Sequence, residues 1–142
     1  MMRLRHDIRA LLGVFRSLSE GLGGAVELIV RKAAERAEAL LSERAPRRTG
    51  RMIESVGSVV HGRTAIVGLR AHYARFLELG TRPHEIRPRR AKALRFPLGG
   101  RIVFASRVEH PGIRPRRFVR AVAEELVERM GSIFEEAMEH VI

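Results

Sequence analysis

IESVGSVVHGRTAIVGL occupies Ile53–Leu69, and it is where the chain changes its hydrophobic period. β-Branched residues crowd both sides of His61-Gly62, the composition of two strands joined by a turn. Upstream the pattern is helical. Val26, Val30, Ala33, Ala37 and Leu40 form one stripe, which should end near Ala45 because Pro46 disfavours helical geometry in the residue before it. Farther back, Glu20–Gly24 (EGLGG) reads as a break or hinge. Leu4, Ile8, Leu11, Phe15 and Leu18 read as an earlier amphipathic helix.

Downstream, Tyr73–Gly80 (YARFLELG) predicts a short helix with Gly80 as a left-handed cap. Leu94, Phe96 and Leu98 alternate with Arg95 and Pro97, Gly99-Gly100 supplies a turn, and Ile102 and Phe104 alternate on the return. Pro97 marks the first arm as an edge strand or as irregular. From Phe118 onward a last helix carries Val119, Val122, Leu126, Met130, Ile133, Ala137 and Val141 on one stripe. The expected fold is α+β. N-terminal helices precede a small antiparallel sheet of two hairpins with a short central helix, and a C-terminal helix packs on the sheet. The length of 142 residues fits one domain.

Cysteine is absent, which excludes disulfides, thiolate metal sites and cysteine catalysis. No histidine pair shares the i, i+4 spacing of a metal-binding helix, and neither a nucleophile elbow nor a phosphate-cradling glycine loop occurs. The expectation is therefore no enzyme, no metal and no cofactor. The weak catalytic alternative is a small ribonuclease built on the neighbours His72, Tyr73 and Arg75. No signal peptide and no membrane-spanning run is read, which places the protein away from membranes.

The net charge of +11 is unevenly spread. Residues 44–120 hold 19 basic and 4 acidic residues, a local +15, whereas residues 121–142 hold 1 basic and 6 acidic, a local −5. Arg82, Arg87, Arg89, Arg90 and Lys92 lie in an extended, proline-bearing loop, and Arg114, Arg116 and Arg117 in a second. Such arms point to a phosphate backbone or to an acidic protein surface. A stand-alone nucleic-acid-binding module is the alternative function. Glu124, Glu125 and Glu128 on the last helix are the candidate acidic face for a neighbouring copy.

Four stretches occur in a familiar order: APRRTGRMIESV (Ala45–Val56), YARFLELGTRPHEIRP (Tyr73–Pro88), ALRFP (Ala93–Pro97) and VEHPGIRPRRFVRAV (Val108–Val122). Over residues 24–125 the chain resembles the tail-component or tail completion proteins of long-tailed phages, which act at the head–tail joint. The resemblance makes Pro46, Thr49, Gly50, Tyr73, Phe76, Glu78, Gly80, Thr81, His110, Pro111, Gly112 and Phe118 structural positions. Phe118 would plug the core, and Tyr73, Phe76 and Leu77 would dock the short helix. Arg116 and Arg117 depart from the pattern, where a small residue and a proline often precede the phenylalanine. Residues 1–23 have no counterpart in it. The resemblance implies a non-enzymatic homo-oligomeric ring, hexameric or similar, between connector and tail tube or tail terminator proteins. Double-stranded DNA would pass through that ring, in a virion assembled in the host cytoplasm.

Overall fold

In the computed structural model residues 2–141 are described, with side-chain surroundings from Glu20 onward. The chain gathers into two compact units, residues 1–71 with 118–142, and residues 72–117. The Leu4–Leu18 stripe lies outside the described side chains.

The first unit is built on one helix, α1 (Met2–Arg44). The expected break at Glu20–Gly24 does not occur. None of Gly21, Gly23 and Gly24 has a positive φ, so each takes the helical conformation at a cost of about 1 kcal/mol relative to alanine. The cost is tolerable because α1 is held by tertiary packing rather than by propensity. Its principal partners are α4 (Phe118–Glu139) and the hairpin of β1 (Val56–His61) and β2 (Thr64–Leu69). Thus α4 packs chiefly on the first helix. Among the described residues of this unit, Ala25, Ala34, Ala37, Leu40, Leu41, Ala45, Met52, Phe118, Val122, Ile133 and Ala137 are buried. The alanines let backbones approach closely. Of the residues expected on the buried stripe of the last helix, Met130 sits at its margin, 37% exposed, and Val141 lies past the end of α4, 45% exposed.

A one-turn helix absent from the sequence reading, α2 (Arg51–Glu54), follows Gly50, whose φ of 77° admits the sharp entry. Ile53 therefore belongs to α2, not to the first strand. The β1–β2 ladder runs from Val56↔Leu69 to His61↔Thr64, so the turn falls on Gly62-Arg63. Two salt bridges join α1 to α4: Lys32 to Glu136 at 2.7 Å, and Arg44 to Glu125.

The second unit holds α3 (Ala74–Leu79), β3 (His84–Ile86), β4 (Leu94–Leu98), β5 (Arg101–Ala105) and β6 (Val108–His110). The β4–β5 hairpin turns at Gly99-Gly100 as the alternation predicts, and both glycines have positive φ. A third ladder, β3 with β6, went unread in the sequence. Each ladder is two-stranded and separate, so the sheet component is three short antiparallel pairs.

Candidate functional site

Six residues are too few for a helix to hold itself together, so α3 depends on what meets its ends. Its last carbonyls are capped from a distant stretch. Arg116 N–H donates to the Leu77 carbonyl at 2.8 Å, and Arg117 N–H donates to the Glu78 carbonyl at 3.2 Å. Gly80 then turns the chain with φ 73° and ψ 176°. The expected left-handed cap is thus corrected: φ is positive, but ψ is extended, a combination essentially confined to glycine.

Beyond Gly80, Thr81 and Ile113 exchange both backbone hydrogen bonds, at 2.9 and 3.1 Å. The Ile113 N–H is shared with the Thr81 hydroxyl oxygen at 3.0 Å. The two backbones are pressed together here. A Cβ on Gly80 would stand 2.5 Å from the Ile113 oxygen and 2.8 Å from Pro115 Cδ. A Cβ on Gly112 would stand 2.9 Å from the Arg82 carbonyl carbon and 3.0 Å from the Pro83 nitrogen, and nearer still to the Thr81 oxygen. Two motifs far apart in sequence, Gly80-Thr81 and His110-Pro111-Gly112, are therefore the two sides of one crossing.

Past the crossing the ladder pairs His84 with His110, Glu85 with Glu109 and Ile86 with Val108. The imidazoles stack with centroids 5.0 Å apart. His84 Nδ1–H donates to the Arg82 carbonyl at 2.8 Å, whereas His110 Nδ1 accepts from Gly112 N–H at 3.0 Å. The signal was in the sequence: HEI and VEH are mirror images but for Ile against Val, and antiparallel pairing sets like against like. Opposed glutamates are unfavourable in such a pair. Arg87 hydrogen-bonds Glu85, and Arg107 approaches it to 3.7 Å. The Glu85 bond and charge raise the Arg87 pKa further.

Tyr73, Phe76, Leu77, Ile86 and Ile113 line an open apolar groove of about 510 Å³, with Arg82 and the two histidines on its wall. Phe76 is 39% exposed and carries Arg75 over its ring at 4.8 Å, so its docking is only partial. That stacking also turns Arg75 to Phe76, while His72 and Tyr73 meet edge to face at 5.6 Å. Among the described residues, no three His, Asp or Glu side chains converge as a metal site.

The other arm residues fall as follows. Arg89, Arg90 and Lys92 are exposed in the bend between β3 and β4, and Arg114, Arg116 and Arg117 are exposed before α4. The extended loop that carries Arg82 and Arg87 is pinned at Thr81 and along His84–Ile86. Arg117 has φ 49°, the one positive φ outside glycine among the described residues. Proline could not adopt it, which gives the departure at this position a backbone reason. Pro46 is half-buried, Thr49 exposed, and Pro111 exposed.

The three acids on α4 are not equivalent. Glu125 is tied within its own chain to Arg44 and, at 2.7 Å, to Arg129. Desolvation pushes its carboxyl up, but the hydrogen bond and charge of Arg44 together with Arg129 outweigh that and hold it below the usual glutamate range. Glu124 pairs with Arg120 at 2.9 Å, on the exposed side, and Glu128 is exposed. Glu136 is also lowered, first by the Lys32 hydrogen bond and then by its charge.

An α+β fold in which the Gly80-Thr81 and His110-Pro111-Gly112 stretches interlock backbone to backbone suits a scaffold. The comparisons agree: the HK97-gp10-like family model, described as "Bacteriophage HK97-gp10, putative tail-component", matches residues 9–80, just over half of the chain. The chain belongs to this family of phage tail components, and its place is in the virion tail. The match begins inside the first helix, ahead of residue 24, and stops at Gly80, before the second side of the crossing. Searches of curated proteins and of solved structures returned no match. No helix among the described residues is long and apolar enough to cross a membrane.

Proposed function

We propose that the protein is a non-enzymatic structural component of the head–tail joint, which completes or joins the tail as a homo-oligomeric ring around the DNA path. One observation carries this reading. Among the described residues fifteen large apolar side chains are exposed, while the buried set is half alanine. Val59 and Ile66 face each other on the β1–β2 hairpin at 70% and 72% exposure. Phe104 and Ile102 stand on one face of the β4–β5 hairpin at 66% and 53%. Paired exposed apolar residues on two hairpins favour protein contacts over a free monomer. Connector and tail tube or terminator proteins are the neighbours such surfaces would meet.

The exposed Arg89, Arg90, Lys92, Arg114 and Arg116 support a second duty, contact with DNA phosphates in the lumen. Binding of that kind weakens steeply with salt and carries no sequence preference. Native mass measurement and negative-stain microscopy of the purified protein at physiological salt test the ring directly. Closed rings support the reading. A 16.0 kDa monomer that binds DNA tightly favours the alternative, a nucleic-acid-binding module.

A further inference from the structure

The apolar groove and α4 carry features that match. On a helix of 3.6 residues per turn, Val127, Met130 and Phe134 fall on one face, roughly a quarter turn from the buried face of Phe118, Val122 and Ile133. They are 73%, 37% and 51% exposed. On the far side of this stripe lie Glu124, Glu128 and Glu135, all exposed. The stripe is thus an apolar ridge with an acidic flank, two turns long, about 10 Å from Val127 to Phe134.

The groove has the complementary character. Its floor is apolar and its margin basic, with Arg82 on the wall and Arg75 held over Phe76. At about 510 Å³ it admits side chains, not merely a few waters of about 30 Å³ each. A phosphate backbone has no use for an apolar floor. An apolar helix face flanked by glutamates satisfies both parts, and helix-in-groove docking is read through such i, i+3, i+7 anchors.

We infer that the groove formed by Tyr73, Phe76, Leu77 and Ile86 receives the Val127–Phe134 ridge of α4 from a second copy of this chain. The inference rests on the self-assembly reading above and deepens it by assigning the two surfaces. Because the surfaces differ, the contact is heterologous and propagates head to tail, the type that closes into a ring. The apolar anchors supply the affinity, and the Arg75 and Arg82 margin against the glutamates sets orientation.

Two single-site variants isolate the contact. Phe134→Asp disables the ridge and leaves the groove; Phe76→Asp disables the groove and leaves the ridge. Phe134 is 51% exposed and Phe76 39%, so an Arg75→Glu/Arg82→Glu variant provides a second groove block, one that lies wholly on the surface. Wild type, each variant and the 1:1 mixture are measured by native mass and sedimentation, with circular dichroism as the check on folding. Each variant alone should self-associate at least about tenfold more weakly than wild type, as expected for loss of a central anchor. The mixture should form a discrete particle of twice the subunit mass and nothing larger, because only one intact ridge and one intact groove remain per pair. Assembly of either folded variant at wild-type strength overturns the contact while leaving the ring reading intact. A mixture that stays monomeric overturns it likewise, in favour of ridge-to-ridge pairing or a different tail protein in the groove. A wild-type chain that is monomeric throughout overturns the contact and the ring together.

Discussion

Replacing Gly112 with alanine tests whether the crossing of the two motifs holds the second unit together. Gly112 has φ 86°, where an alanine is strained by about 1–2 kcal/mol. Its new Cβ would meet Thr81, Arg82 and Pro83 backbone atoms at 3.0 Å or less, and backbone cannot rotate away as a side chain can. Restoring an ordinary C···O separation of about 3.3 Å or more requires the two strands to part by up to about 1 Å. That movement breaks the paired Thr81–Ile113 hydrogen bonds, at about 0.5–1.5 kcal/mol each. The total is about 2–5 kcal/mol. Gly99→Ala is the control, since φ there is 58° but no atom lies within 4 Å of the added carbon. Only the backbone strain, about 1–2 kcal/mol, applies to it. Native-state hydrogen exchange reads the difference. In Gly112→Ala the amides of Thr81, Ile113 and Arg116 should exchange about 30-fold to several thousand-fold faster, while Arg70, bonded to Ser55 at 2.9 Å, serves as the reference amide. Equal acceleration of the Ile113 amide in Gly112→Ala and Gly99→Ala would refute the close-approach argument.

Phe118→Ala removes the 6%-exposed ring that opens α4 and should cost about 3–5 kcal/mol in a denaturant titration, whereas Leu79→Ala, at a 75%-exposed site, should cost under about 0.5 kcal/mol. Arg117→Pro should destabilise the end of α3, because it deletes the amide that donates to Glu78 and cannot reach φ 49°; Arg117→Gly should leave exchange at Arg116 within about twofold of wild type. Glu125 and Glu136 have lowered folded pKa values, so the α1–α4 pairing gains stability above the ordinary glutamate range and loses it as pH falls through and below that range. An acid titration followed by helix melting checks the sign, and Glu136→Gln should flatten part of the acid limb.

The fold class was legible because period and composition agreed: β-branched crowding around His61-Gly62, alternation around Gly99-Gly100, and a helical stripe from Phe118. The unbroken α1 was not, because three glycines within five residues lower helix propensity, and only packing against α4 and the first hairpin overrides it. The one-turn α2 is too short for any period to register. The β3–β6 ladder spans three residues per strand and joins positions 22 to 26 apart, so its only trace was the near-mirrored HEI and VEH. Arg82 and the motif glycines were picked out singly; what brings them together is the Thr81–Ile113 crossing, a contact that no local pattern encodes. Glu125 read, with Glu124 and Glu128, as an acidic face for a neighbouring copy, and only the fold shows that Arg44 and Arg129 already hold it.

The central claim, a structural role at the head–tail joint, is tested most directly by electron microscopy of phage particles produced without this chain. The account predicts filled heads and finished tail tubes that remain separate, with joining restored when the purified protein is added. Intact, joined particles in its absence would contradict it.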